Sequence, residues 1–176
     1  DFIYRISKES GSITLHRNSS TYIEAGPIFS ILRAPLANDI DPWGAYLFSD
    51  DKKTAGLGKS IENQVLTYGL KDLVPEIDTI RVHMIEKGTV RIKMQKYYHS
   101  SSGLGAFKCV ECYDIKGDGT LAVDIHITPL GFMPEMLPRL GYEFHLPTAY
   151  RKIEWYGRGP FETYPDRQID ARFGID

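Results

Sequence analysis

Two cysteines, five histidines and two clusters of charge hold what chemistry this chain offers. Cys109-Val110-Glu111-Cys112 has the spacing of a redox dithiol or of half a zinc site. Its flanks read as strand, where positions i and i+3 point to opposite faces, so the two sulfurs diverge and ordinary buried or half-buried thiols are expected. Glu162 and Asp166 are the most tempting acid/base pair, but Arg158 and Arg167 stand beside them. Guanidiniums lower a carboxyl pKa where a general acid needs it raised, so structural ion pairing is the expectation. His16, His83, His99, His126 and His145 are dispersed on or beside presumed strands without a metal-ligand spacing, which favours exposed strand-face histidines. The last cluster, Arg33 with Asn38 and Asp39, precedes Asp41-Pro42-Trp43-Gly44-Ala45-Tyr46. Asx-type turns and an Arg33-carboxylate pair are one reading. Presentation of the Trp43 face to the C–H groups of a sugar is the other.

Short strands must position these groups. Eleven Tyr and eight Phe, with many Val, Ile and Thr and with 16 Gly and 10 Pro as punctuation, favour strands and turns over helices. Phe2, Tyr4 and Ile6 alternate, Lys8-Glu9-Ser10-Gly11 turns, and Ile13 and Leu15 restart the pattern, predicting an opening hairpin. Val90, Ile92 and Met94 alternate with Arg91, Lys93 and Gln95, and Leu121, Val123, Ile125 and Ile127 with Ala122, Asp124, His126 and Thr128. Between the strands ending near Ile115 and starting near Thr120, Asp118-Gly119 supplies the positive φ of a tight turn. Further strands are expected over 28–33, 79–86, 106–114, 140–146 and 151–156, and a short helix or two within 49–73. Gly157, Gly159, Pro160 and Pro165 describe a constrained loop after a strand ending near Trp155, either presenting Phe161 or Tyr164 to a partner domain or folding over the sheet edge. The whole predicts one all-β domain over residues 1–176, an antiparallel sandwich.

Composition narrows the partners. The chain has 176 residues, 42% hydrophobic and 25% charged, with a net charge of −2 and no clustering of Lys and Arg, so no nucleic-acid partner is expected. No apolar run approaches the roughly 18 residues of a membrane span, and no membrane partner is expected. The chain opens at Asp1 without Met and stops at Asp176 after a strand-like run, as a segment cut from a longer protein would.

Two motifs are less generic. Arg33-Ala34-Pro35-Leu36-Ala37-Asn38-Asp39-Ile40 and Trp155-Tyr156-Gly157-Arg158-Gly159-Pro160-Phe161-Glu162-Thr163-Tyr164-Pro165-Asp166-Arg167 flank about a hundred residues of strands, with Pro138-Arg139-Leu140-Gly141 between them. In content, order and separation they resemble the R-A-P-x-D-N-D-x-G, P-R-x-G and Y-G-x-G-P-x-E-N-Y-P-D-R elements of the small-chain domain of bacterial family 2 β-galactosidases. Ala37 replaces the first Asp of the triplet, Asp41 stands at a position that is often Gly, and Thr163 replaces an Asn.

The resemblance implies a galactose-mutarotase-like antiparallel supersandwich, here its N-terminal part and truncated at the C-terminal end, lying against a TIM-barrel catalytic domain. Both catalytic carboxylates of a retaining glycosidase, about 5–5.5 Å apart, would come from that barrel. This chain would supply no catalytic residue, metal ligand or cofactor site; the parent family often uses Mg or Na in the barrel. Asn38, Asp39 and Trp43 would lie near a β-galactoside substrate, while Arg33, Arg158, Glu162, Tyr164, Asp166 and Arg167 form the structural motifs. A homo-oligomer, in a bacterial cytoplasm or periplasm, would accord with this. A stand-alone carbohydrate-binding or mutarotase-like domain is the alternative.

Overall fold

Alternation of apolar and polar residues governs the architecture, which is almost entirely antiparallel. The computed structural model describes residues 2–34, 39, 61–134, 136–161, 163, 168–169 and 171–175. Contacts divide the chain into a unit over Asp1–His145 and a smaller one over Leu146–Asp176.

In the larger unit, β1 (Phe2–Ile6), β2 (Ile13–Arg17) and β3 (Ser20–Ile23) form a three-stranded sheet in that order. The β1–β2 hairpin is the one expected, with Tyr4 opposite Leu15 and Ile6 opposite Ile13. Its turn is held by the Ser7 hydroxyl, which accepts from the amides of Glu9 and Ser10. Strand β4 (Ala25–Ser30) pairs with β9 (Gly141–His145), so β4 begins and ends earlier than the 28–33 expected.

The principal sheet has the order β5-β6-β7-β8, built from β5 (Val74–Glu86), β6 (Thr89–His99), β7 (Gly105–Lys116) and β8 (Leu121–Gly131). Its strands follow one another through tight turns, the simplest solution for adjacent antiparallel runs. Gly119, at φ +93°, completes the β7–β8 turn, while the Asp118 carboxylate accepts from the Thr120 amide at 2.8 Å.

One face of β6 and β7 is buried residue after residue. Ile92, Met94, Lys96 and Tyr98 alternate with wetter neighbours, as do Phe107, Cys109, Glu111 and Tyr113. Two apolar clusters lie on this face. Ile13 packs with Ile92, Met94 and Tyr113. Phe29, Ile31, Val65 and Leu70 pack with Tyr98, Phe107 and Cys109, and the Phe29 ring lies 4.9 Å from Tyr98 and 5.1 Å from Phe107 in tilted contacts.

The single described helix, α1 (Ile61–Thr67), falls inside the stretch expected to hold one and buries Val65. Gly69, at φ +66°, follows it where a left-handed residue ends a helix. A Cβ at Gly69 would stand 2.5 Å from the Ser102 amide nitrogen, because the β6–β7 loop caps the helix: Ser102 Oγ donates to the Tyr68 carbonyl and Ser101 Oγ to that of Gly69.

The smaller unit corrects the expectation for its motif. Residues 151–155 form no strand; β10 (Tyr156–Gly159) begins where that strand was expected to end, and pairs with β11 (Arg172–Ile175). The ladder puts Gly157 opposite Gly174 and Gly159 opposite Arg172, so both glycines are extended strand residues rather than positive-φ loop residues. Residues 151–155 have no ladder partner among the described residues, which is why their polar-apolar alternation does not become a strand.

Candidate functional site

Sequence positions more than a hundred apart meet at Arg33. Its Nε donates to the Pro138 carbonyl at 2.7 Å, and its Nη2 donates to Asp39 Oδ1 at 3.0 Å. The guanidinium joins the first motif to the Pro138-Arg139 element, two of the three segments that carried the resemblance. Asp39 is almost wholly buried and Arg33 partly so, a geometry that suits the fixed planar fork of Arg. A cleft of about 320 Å3 opens beside them, its wall formed by Leu32, Ile61, Val65 and Leu66 and its polar atoms by Arg33, Asp39 and Lys71.

The neighbouring Arg139 continues this polar seam. It donates to Ser30 Oγ at 2.5 Å and to the Glu143 carboxylate, tying β4 to β9. The Ser30 hydroxyl and then the Arg139 guanidinium hold the Glu143 carboxyl below its ordinary range.

Asn38 and Trp43 lie outside the described residues, as do Glu162, Tyr164, Asp166 and Arg167. Of the second motif, Arg158 is described. Its Nη1 donates to Gln168 Oε1 at 2.6 Å and its guanidinium lies 5.2 Å from the Phe173 ring centre across the β10–β11 pair.

The most heavily engaged carboxylate of the described chain escaped sequence reasoning. Glu111 is fully buried, and its Oε2 lies 2.7 Å from the equally buried Lys96 Nζ. Tyr113 donates to Oε2 at 2.5 Å and Tyr142 to Oε1 at 3.0 Å. Lys96 also reaches the Gly11 carbonyl at 3.4 Å. Burial first, and the Glu111 charge second, push the hydroxyls of Tyr113 and Tyr142 far above the ordinary phenol range, so both remain donors. This is a closed knot of ionic hydrogen bonds between the two apolar clusters. Its carboxylate has no solvent-exposed face through which to meet a sugar. The signal was available: Lys96 is two residues beyond Met94, and Glu111 is two from Cys109 and two from Tyr113, so both occupy the inward phase.

The cysteines diverge as expected. Cys109 is buried and Cys112 half-buried, both free, on opposite faces of β7. Burial pushes the Cys109 thiol up to about 11. The described histidines lie on strand faces or ends; His99 meets Glu76 at 2.9 Å on the outer face. No group of three His, Cys, Asp or Glu side chains among the described residues has the geometry to hold a metal ion. No described helix is long and apolar enough to cross a membrane.

Comparison with known proteins gives these features a common setting. Residues 1–175 match the family described as β-galactosidase small chain. A β-galactosidase of Psychromonas ingrahamii is 29% identical over 173 residues, covering 97% of this chain and 16% of that protein. One of Alteromonas mediterranea is 26% identical over 187 residues, covering 98% of this chain and 16% of its own length. One of Kluyveromyces lactis is 50% identical over 44 residues, covering 25% of this chain and 4% of its own. The chain therefore spans about one-sixth of the length of the relatives that it matches end to end. On that match, which runs through the Arg33, Pro138 and Arg158 motifs alike, the chain belongs to the β-galactosidase small-chain family.

Proposed function

We propose that residues 1–176 serve a β-galactosidase, an enzyme hydrolysing terminal β-galactosides, as a non-catalytic β-sandwich against which a TIM-barrel catalytic domain rests. The observation that carries this reading is the family match over residues 1–175, joined to the closure of the fully buried Glu111 carboxylate by Lys96, Tyr113 and Tyr142. A carboxylate acting as nucleophile or acid must face the substrate, with its partner about 5–5.5 Å away in a retaining enzyme. Both such groups, and any Mg or Na of the parent enzyme, belong to the barrel. Arg33 and Asp39 hold the chain at one rim of the galactoside pocket, where Asn38 and Trp43 stand near the substrate. Asp39 acts there by fixing the backbone, since Arg33 already engages its carboxylate.

The test is release of nitrophenol from nitrophenyl β-galactoside. The 176-residue chain is expected to be inactive and the complete enzyme active. Trp43→Ala in the complete enzyme is expected to change KM by about tenfold, from an aromatic contact worth ~1–1.5 kcal/mol. Turnover by the chain alone that survives repurification would refute the non-catalytic role. Unchanged kinetics with a lowered Tm would make Trp43 an anchor of the sandwich.

A further inference from the structure

The cleft beside Arg33 has an aliphatic wall and a positive charge that the Arg33–Asp39 pair does not engage. Helix α1 contributes Ile61 and Val65, one turn apart, and Leu32 and Pro138 extend the same lining. Val65 is 4% exposed, its body held in the core, whereas Leu66, also in the lining, is 52% exposed. The described lining residues include no aromatic ring, so the wall offers methyl and methylene surface and no flat face for a sugar. Two cations share the lining. The Arg33 charge is met by Asp39, and its Nε and Nη2 are taken by Pro138 and Asp39, while its Nη1 donates to no described residue. Lys71, two residues past the Gly69 that ends the helix, is exposed and has no hydrogen bond or ion pair with a described residue. Asp72, its chain neighbour, is not in the lining. Among the described residues, then, one unbalanced positive charge stands over an apolar wall.

We propose that this cleft binds an aliphatic monocarboxylate of medium chain length. Each part of that ligand answers one observation. Its hydrocarbon chain lies against Leu32, Ile61 and Leu66 and withdraws their exposed surface from water. Its carboxylate accepts from Lys71 Nζ and from the unused Nη1 of Arg33, both charge-assisted bonds. A single negative charge is the one that fits, because Asp39 already balances Arg33 and a second anionic charge would face the Asp39 carboxylate. The volume of about 320 Å3 sits at the small end of the ~300–1,000 Å3 usual for ligand cavities. At the ~30 Å3 share of a water molecule it holds about ten non-hydrogen atoms, the size of octanoate. Such a ligand neither requires nor excludes turnover of a β-galactoside.

Titration calorimetry with octanoate on the complete protein tests this, with the labelled methyl groups of Val65 and Leu66 followed by NMR to report the place of binding. Saturable binding with shifts at both residues is expected. Affinity should fall about fourfold for each methylene removed between octanoate and hexanoate, the signature of a chain lying on an apolar wall. Octanol and octylamine should bind at least about tenfold more weakly than octanoate, since one lacks the charge and the other reverses it. Lys71→Gln, at an exposed position where the fold is not at stake, should weaken octanoate about tenfold and leave octanol unchanged. Four results would overturn the site. Affinity independent of chain length would reduce it to ionic contact at Lys71. Octylamine binding as tightly as octanoate would remove the charge selection. Heat without shifts at Val65 and Leu66 would put the carboxylate elsewhere, and the absence of saturable binding would leave the cleft without this ligand.

Discussion

Removing Lys96 tests the buried knot most directly. In Lys96→Met the Glu111 carboxylate stays fully buried and keeps the hydroxyls of Tyr113 and Tyr142 at 2.5 and 3.0 Å, but loses the ammonium at 2.7 Å. Breaking one side of a buried ion pair leaves an uncompensated charge, at a cost of about 3–5 kcal/mol. For a chain of this length that corresponds to a fall in Tm of roughly 6–20 °C. Adding Glu111→Gln removes the stranded charge while its Oε1 still accepts from a tyrosine. What then remains is one poorly satisfied hydroxyl, about 1–3 kcal/mol. The double variant should accordingly be more stable than Lys96→Met alone, by ~2 kcal/mol, although it carries one more substitution. Urea unfolding of the 176-residue chain, with the slope checked for constancy, reads both numbers. If Lys96→Met costs less than about 1 kcal/mol, or if the second substitution simply adds its own cost, the two charges are not coupled as their geometry requires.

Three further outcomes are expected. Ellman's reagent should find one reactive thiol per native chain, Cys112, and two after denaturation, because Cys109 is buried with its pKa pushed up to about 11; two equivalents in the native state would contradict this. The Asp114 carboxyl should titrate below its ordinary 3.8, chiefly because Arg91 donates to it from both Nε and Nη2 at 2.6 Å. Since the folded pKa is the lower one, this interaction is present above the ordinary carboxyl range and is lost as pH falls through the folded value; Arg91→Ala should return the NMR midpoint toward 3.8. Finally, Arg33→Lys should be nearly as destabilising as Arg33→Met, at about 2–4 kcal/mol in thermal or urea melts, because a single ammonium cannot reproduce the fork that spans Pro138 and Asp39. Full rescue by Lys would reduce the contact to simple charge attraction.

Where the alternation was clean, strand and sequence agree. Phe2–Ile6 with Ile13–Arg17 and the long β6–β7–β8 meander follow from a period of two and a turn at Asp118-Gly119, both local properties. The strand expected over 151–156 failed because pairing depends on a distant partner: Arg172–Ile175 meets Tyr156–Gly159 instead. The Arg33–Pro138 bond spans 105 positions, a separation at which the residues show no pattern before the chain folds. Lys96 and Glu111 were masked by their own polarity. A charged residue reads as a solvent-facing one unless its phase on the strand is given precedence over its type. Asn38, Trp43, Glu162, Tyr164, Asp166 and Arg167 lie outside the described residues.

The ion pair between the two clusters also gives the sheet an address. A one-residue slip of β7 against β6 is vetoed at once, since it turns every inward side chain to water. A two-residue slip keeps all faces correct, and Tyr113 would exchange Ile92 for Val90 or Met94 with little penalty in type. Glu111 alone cannot move so freely. Such a slip carries its carboxylate about 7 Å along the strand. In one direction it leaves the Lys96 ammonium; in the other it stays with Lys96 but leaves the hydroxyl of Tyr142, which belongs to β9 and does not travel with it. Two charges buried in an apolar layer thus label a single alignment among several that hydrophobicity would accept, and a variant with both replaced by leucine should gain apolar contact while losing the uniqueness of its register.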